Sequence, residues 1–138
     1  MHSVALVPSS SQSWEQQWSY LLSNFAPTSI YVLGAVDRKV RPFADYVSVK
    51  TAEELPSPLV LMAPKNGRYY SGSIALPDFE HPENACYLFG SDNVTLSTDH
   101  MVNREPDHCV YVPTSTKDDM YSFIAGAVTF YDRAMKRG

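Results

Sequence analysis

The chain has 138 residues, of which 44% are hydrophobic and 12% aromatic, so it is long enough to bury the core of one compact domain. Its formal net charge of −4 argues against strong nonspecific binding to nucleic acid, which depends on pooled lysine and arginine, and leaves only a local basic patch for such a contact. No apolar run approaches the roughly 20 residues that span a bilayer, and the N-terminus lacks the charged start and long apolar core of a signal peptide. We therefore expect a single cytoplasmic domain over residues 1–138, without a membrane segment.

The two cysteines, Cys86 and Cys109, do not have the spacing of a metal site. Both lie in apolar runs typical of strands, and cytosolic proteins keep their thiols reduced. We interpret them as reduced core thiols and predict no metal site.

Strand patterns alternate with helical ones along the chain. Six runs predict strands: Ser3–Val7, Ile30–Leu33, Tyr46–Val49, Leu59–Ala63, Ala85–Phe89 and Cys109–Val112. Large apolar residues at helical spacing predict a first helix over Trp14–Ser23, whose two tryptophans we interpret as packing residues, and a last helix over Asp119–Lys136. Thr51–Leu55 resembles a capped helical turn, and Pro64–Phe79 is too interrupted by Gly and Pro to be more than a long excursion with a short extended piece.

This alternation favours a parallel α/β sheet covered on both faces, in which ligands bind beyond the carboxyl ends of the strands. The polar turn Gly90-Ser91-Asp92 directly follows the predicted strand Ala85–Phe89, and we expect the site there. Neither GxGxxG nor GxxxxGK[ST] occurs, so a dinucleotide-binding fold and a P-loop enzyme have no motif support.

Two segments in the second half carry a family pattern. The first, HPENACYLFGSDNVTLS, contains the run Phe89, Gly90, Ser91, Asp92 and Leu96; the second, YVPTSTKDDMYSFIAGAVTFYDRA, contains Val112, Pro113, Met120, Ala125, Ala127, Val128, Tyr131 and Asp132. These residues resemble the second and third motifs of the SPOUT superfamily of RNA methyltransferases, FGSExxGL and IP followed by SLN and an AVA-rich helix ending in YE. The nearer match is the branch of tRNA and rRNA ribose 2′-O-methyltransferases.

The resemblance implies a mostly parallel sheet flanked by helices, with a SPOUT-type trefoil knot near the C-terminus, usually in a homodimer. It implies that S-adenosylmethionine binds in the knot, held largely by backbone groups. Carried over by position, the cofactor-binding residues are Met62, Ala63, Pro64, Leu88, Phe89, Gly90, Ser91, Asp92, Tyr111, Val112, Pro113, Met120 and Tyr121. The candidate catalytic residues are Tyr121, Ser122 and Arg68.

The chain departs from the family at the positions that do chemistry. The family's catalytic Arg falls on Tyr20 or Ser19, its third-motif Asn falls on Tyr121 or Ser122, and the Glu of FGSE is Asp92. Two interpretations follow. One is an RNA methyltransferase in which Tyr121, Ser122, Arg68 or an Arg of the partner subunit takes over; the other is a noncatalytic homodimer that binds RNA or protein.

A few charged residues have two readings each. Arg38, Lys39 and Arg41 form the densest positive charge and either contact RNA phosphates or lie in a solvated loop. Arg68 is either a phosphate or catalytic contact or an exposed loop residue. His81 and His100 either move protons or have surface or capping roles.

Overall fold

The computed structural model describes residues 1–9, 12–34, 45–63, 71–90, 101, 104–116 and 120–137. The strands and helices in chain order are β1 (Ser3–Leu6), α1 (Gln12–Asn24), β2 (Ser29–Leu33), β3 (Val47–Val49), β4 (Leu59–Met62), β5 (Ile74–Ala75), β6 (Cys86–Phe89), β7 (His108–Tyr111) and α2 (Ser122–Arg137). Single-turn 3-10 helices, Ala52–Glu54 and Leu76–Asp78, precede β4 and follow β5. Within these ranges no helix has the length and apolar character needed to cross a membrane.

The strands form one parallel sheet in the order β3-β2-β1-β6-β4-β7-β5. Strand β6 lies between β1 and β4, and Leu88 at its centre pairs with Ala5 on one side and Leu61 on the other. The carboxyl ends of β1, β6, β4 and β7 therefore lie next to one another at one edge of the sheet. The parallel α/β architecture predicted from the alternation of strands and helices is confirmed.

Side chains of successive strand residues point to opposite faces, so each strand supplies two layers of core. On one face, Val4, Leu6, Tyr87 and Phe89 pack with Trp14, Trp18 and Phe130 of the two helices. On the other face, Ala5, Leu61, Cys86 and Leu88 pack with Ala52, Leu55 and Met101. Because both faces are covered, the central strands are buried along their whole length, which explains why their sequences are continuous apolar runs.

Helices α1 and α2 pack against each other above the first face. Trp14 and Trp18 are 1% and 0% exposed, which confirms that they are packing residues. A Cβ built on Gly126 of α2 would lie 2.7 Å from Cη2 of Trp18 and 2.9 Å from Cδ2 of Leu21. Only glycine allows the helices to approach this closely.

The C-terminal half of α2 is held by hydrogen bonds to the amino end of the sheet. Arg133 is 7% exposed, and its guanidinium donates to the carbonyls of Pro82 (2.7 Å), Glu83 (2.6 Å) and Met1 (3.3 Å) and to the Tyr87 hydroxyl (2.9 Å). Lys136, the next basic residue of α2, is also held by backbone: its Nζ donates to the carbonyls of Leu76, Pro77 and Phe79 at 2.8–2.9 Å. These two cations therefore fix where the helix ends.

His81 is buried inside this polar cluster. Its Nδ1 lies 2.7 Å from the Tyr87 hydroxyl and its Nε2 lies 2.7 Å from Oδ2 of Asp132. Burial lowers the pKa of His81 more than the Asp132 carboxylate raises it, so the imidazole is neutral at pH 7. We assign the tautomer from these partners: Nε2–H donates to Asp132 and Nδ1 accepts from Tyr87, whose oxygen in turn accepts from Arg133.

Two predictions about the elements are wrong. The sheet has seven strands, because Ile74–Ala75 inside the predicted excursion forms β5 and pairs with β7; two residues between Gly72 and Pro77 give too short a pattern to read as a strand. The last helix begins at Ser122 and not at Asp119, since Met120 and Tyr121 are not helical. The Tyr121 carbonyl accepts from the amides of Ile124 (3.0 Å) and Ala125 (3.1 Å), so Tyr121 is the residue that precedes the first turn.

The trefoil knot stays a prediction. The loops that would form it include residues 91–100 and 117–119, which lie outside the described residues.

Candidate functional site

The carboxyl ends of the central strands bring together the segments that the sequence placed at a site. Sheet hydrogen bonds extend as far as Val7 N to Phe89 O (3.2 Å) and Ala63 N to Val110 O (2.7 Å). Immediately beyond them come Gly90 after β6, Ala63 after β4 and Tyr111 at the end of β7. Crevices form at such edges in parallel sheets because the chain leaves each strand end in a different direction.

Four of the candidate cofactor residues in the described chain are buried, with their side chains in the protein interior. Met62 and Phe89 are buried in the core of the first face, Leu88 is buried among the residues of the second core, and Ala63 is also buried. These residues can offer a ligand only backbone groups. That backbone does much of the binding in such a site stays a prediction.

A second group of candidates lies nearer the solvent. Gly90, Tyr111, Val112 and Met120 are half-buried, and Pro113 is exposed. Their partly open side chains and backbone supply the surface on which a ligand could rest. Pro64, Ser91 and Asp92 lie outside the described residues.

The three candidate catalytic residues differ in their surroundings. Ser122 is 9% exposed, and its Oγ accepts a hydrogen bond of 3.1 Å from Nε1 of Trp18. Tyr121, its neighbour in sequence, is 63% exposed just before α2. Arg68 lies outside the described residues. Of the two that the structure describes, Tyr121 is therefore the more accessible.

The positions that take the place of the family's Arg lie on the outside of α1. Tyr20 is 76% exposed, and Ser19 is also exposed. Neither can carry positive charge. The basic residues of the sequence-predicted patch, Arg38, Lys39 and Arg41, lie outside the described residues.

The other groups that could react either lie away from this edge or are unreactive. Burial raises the pKa of the Cys86 thiol to about 12, so it stays protonated and is no nucleophile. Both cysteines are free thiols.

His81 belongs to the cluster at the amino end of the sheet, so it is not placed to move protons at the candidate site. Its role in that cluster is structural. His100 lies outside the described residues. In the described ranges, no group of three or more His, Cys, Asp or Glu residues could hold a metal ion.

A groove of about 320 Å³ lies at the far end of α2. Its lining comprises Pro77, Asp78, Phe79, Glu80, His81, Lys136 and Arg137. The charges are of both signs, and Lys136 already bonds three carbonyls and the Asp132 carboxylate. This groove does not belong to the candidate site.

The contacts of Trp18 with both segments of the candidate site could not be predicted from the sequence. The Trp18–Ser122 hydrogen bond joins residues 104 positions apart, and the Trp18 ring also lies 5.1 Å from the ring of Phe89. The apolar spacing of α1 indicated that Trp18 is buried. No local signal indicates that it contacts both segments of the site.

Solved structures share this fold. The chain matches the AdoMet complex of the SpoU methyltransferase AviRb from Streptomyces viridochromogenes with a TM-score of 0.74 and 15% identity, over 98% of this chain and 57% of that one. It matches an AdoMet-bound rRNA methyltransferase from Sinorhizobium meliloti with a TM-score of 0.74 and 13% identity, over 97% of this chain and 56% of that one. TrmJ from Z. mobilis gives a TM-score of 0.68 at 14% identity, over 96% and 67% of the two chains.

The chain thus spans between 56% and 67% of the length of these three proteins. No protein-family model and no curated protein matches the sequence. The identities are low, so the likeness rests on the order and packing of the strands and helices. The chain therefore shares the parallel α/β fold of these solved structures.

Proposed function

We propose that the chain binds S-adenosylmethionine at the carboxyl edge of β6, β4 and β7 and transfers its methyl group to RNA, with a ribose 2′-hydroxyl as the acceptor. The observation that carries this proposal is the convergence of three strand ends and the N-terminus of α2 at one edge, in the fold of two AdoMet-bound methyltransferases. The sequence motifs that resemble the family lie on these same segments.

The residues at the edge fit such a cofactor. Adenine needs an apolar surface and hydrogen bonds from backbone, and Val112 and Met120 are half-buried beside strand ends that offer backbone groups. Gly90 leaves space for close approach of a ligand to the chain after β6. When bound, the cofactor would supply a methyl group on a positively charged sulfur.

Transfer to ribose needs the 2′-oxygen in line with the sulfur–methyl bond. The oxygen forms the new C–O bond as the C–S bond breaks, and the hydroxyl proton leaves to a base. Among the described candidates, exposed Tyr121 is the side chain that can contact the acceptor. Ser122 is buried, and its hydroxyl already accepts a hydrogen bond from Trp18. Arg68, which follows β4 in the sequence, is our candidate for contact with the RNA phosphate.

We also propose a homodimer, and the outer face of α2 supports it. Ile124, Val128, Tyr131 and Met135 are between 39% and 67% exposed and recur at intervals of three and four residues. They form a stripe, which we call the α2 stripe, opposite the face that packs on the sheet. Large apolar side chains at this spacing are typical of helices that pack on a partner helix, and a two-fold axis lets the stripe pack on its own copy.

RNA binding is assigned to the positive cluster Arg38, Lys39 and Arg41. In a chain with net charge −4, a local cluster is what could contact phosphates. Binding through it would weaken as salt increases, because each phosphate contact releases counterions.

A noncatalytic role is the second candidate. It is favoured by one observation: at the family's Arg and Asn positions the described residues are Ser19, Tyr20, Tyr121 and Ser122, none of which carries positive charge. In this case the fold, the dimer and cofactor binding remain, and the protein recognises RNA or protein without modifying it.

Incubation of tRNA and rRNA with S-adenosylmethionine carrying a tritiated methyl group separates the two roles. We expect tritium to enter RNA and to survive alkaline hydrolysis in dinucleotides, because a methylated 2′-oxygen cannot attack the neighbouring phosphate. Tyr121→Phe should reduce the rate while leaving cofactor affinity near that of the wild type. Cofactor binding without tritium incorporation into any RNA would favour the noncatalytic role.

A further inference from the structure

We infer that Trp18 is a positioning residue for the proposed cofactor site, because it holds the end of β6 and the N-terminus of α2 at a fixed separation. The inference rests on the proposed function, since those two segments are the walls of the proposed site. Trp18 touches no ligand itself; it is completely buried.

The first contact is with β6. The Trp18 and Phe89 rings are 5.1 Å apart at an interplanar angle of 58°. Phe89 is the last residue of the strand, and the next residue, Gly90, is one of the proposed cofactor-binding residues. Movement of the indole would therefore move the chain at Gly90.

The second contact is with α2 and occurs at two points. The indole Nε1–H donates to Oγ of Ser122, and the edge of the same ring faces Gly126, one helical turn later. A Cβ at position 126 would lie 2.7 Å from Cη2 and 3.0 Å from Cζ3 of Trp18, so only glycine fits against the indole at this separation. Two contacts one turn apart fix both the rotation of α2 and its position along its own axis.

The geometry of the bond explains why tryptophan is suited to this place. Its ring is rigid, and its single N–H has a fixed direction, so the hydrogen bond sets the place of Ser122 and the preceding Met120–Tyr121 segment. A phenylalanine would fill most of the space but lose the donor.

The variants Trp18→Phe and Ser122→Ala each remove one partner of the bond, and Trp14→Phe makes the same aromatic replacement one turn earlier. Calorimetric titration with S-adenosylmethionine should show Trp18→Phe and Ser122→Ala binding roughly five- to tenfold more weakly than wild type, with no further loss in the double variant. Trp14→Phe should bind like wild type even if its melting temperature decreases. Ser122→Ala provides the test should Trp18→Phe fail to fold.

Fluorescence adds a readout that stability alone would not change. The chain has two tryptophans, so Trp14→Phe leaves Trp18 as the only indole and Trp18→Phe leaves Trp14. Addition of the cofactor should change the emission of Trp18 in the first protein and leave that of Trp14 in the second unchanged.

The outcomes are distinguishable. If wild type binds the cofactor and both single variants bind equally well, with only their melting temperatures reduced, Trp18 is a core residue and the inference is wrong while the proposed function stands. If neither wild type nor Trp14→Phe binds the cofactor, the proposed function is wrong and the role assigned to Trp18 is overturned with it.

Discussion

Gly126 of α2 faces the indole of Trp18 on α1 so closely that a methyl group at position 126 would lie 2.7 Å from the ring. The contact sets the spacing of the two helices, and the same indole bonds Ser122 at the start of α2. Any side chain at position 126 must therefore displace α2 or the tryptophan.

Gly126→Ala should lower the free energy of unfolding. Alanine gains up to about 1 kcal/mol over glycine in a helix, but overpacking a filled core costs about 1–3 kcal/mol, so we expect a net loss of about 1–2 kcal/mol. Urea denaturation measures it. A variant as stable as wild type would mean that the helices separate freely and that the close approach is not required.

Arg133→Met should destabilise the protein by roughly 3 kcal/mol, because it leaves buried acceptors around Tyr87 and the Pro82–Glu83 carbonyls without a charged donor. Arg137→Met is the matched control: this exposed residue of the same helix bonds the His81 carbonyl at 2.8 Å and should cost much less. Denaturation curves of the two variants provide the comparison. Equal losses would show that burial of Arg133 contributes nothing special.

Stability should decrease at mildly acidic pH because of His2. Burial, followed by the charges of Arg133 and the N-terminus, lowers the pKa of His2 from 6.5 to about 4. Its Nε2 is buried without a hydrogen-bond partner among the described residues. Between pH 6.5 and about 4, His2 takes up a proton in the unfolded chain but not in the folded chain, so protons stabilise the unfolded state. The contribution of neutral His2 to the free energy of unfolding is therefore complete above pH 6.5 and is lost as the pH falls towards 4.

The His2→Leu variant isolates this effect. As the pH is lowered from about 7 to about 5, the free energy of unfolding of the variant should rise relative to that of wild type. In wild type, His2 takes up a proton on unfolding in this range, and the variant has no such group. His81 and the carboxylates titrate in both proteins and cancel in the difference. Parallel pH profiles for the two proteins would contradict the assignment.

Val128→Glu should abolish the proposed dimer. It places a charge in the middle of the α2 stripe, whereas Ala134→Glu adds the same charge at an exposed position of the same helix beside the stripe. Sedimentation at micromolar concentration should give a dimer for wild type and Ala134→Glu and a monomer for Val128→Glu. A monomeric wild type would remove the dimer from the proposal.

The sequence predicts the buried elements well where the apolar pattern is long or continuous. The four residues of β4 and of β6 are all buried, and the helical spacing of Trp14, Trp18 and Leu21 marks α1. Strand β5 could not be found because its two residues are stabilised by pairing with β7, and such a contact between distant segments leaves no local pattern.

The site is predicted less completely because its organisation depends on contacts across the chain. Motifs select Phe89, Gly90 and Tyr121 as site residues, but the order of strands that brings β6 between β1 and β4 arises from packing. His81 is the clearest example: its sequence context suggests a surface residue, yet Tyr87 and Asp132 enclose it in a buried network.

The most direct test of the account is calorimetric titration of the wild-type protein with S-adenosylmethionine and with its demethylated product, S-adenosylhomocysteine. We expect saturable binding of both ligands at one site per chain, with weaker binding when Ser122 is replaced by alanine. Absence of heat and of any stabilisation against unfolding with both ligands would contradict it.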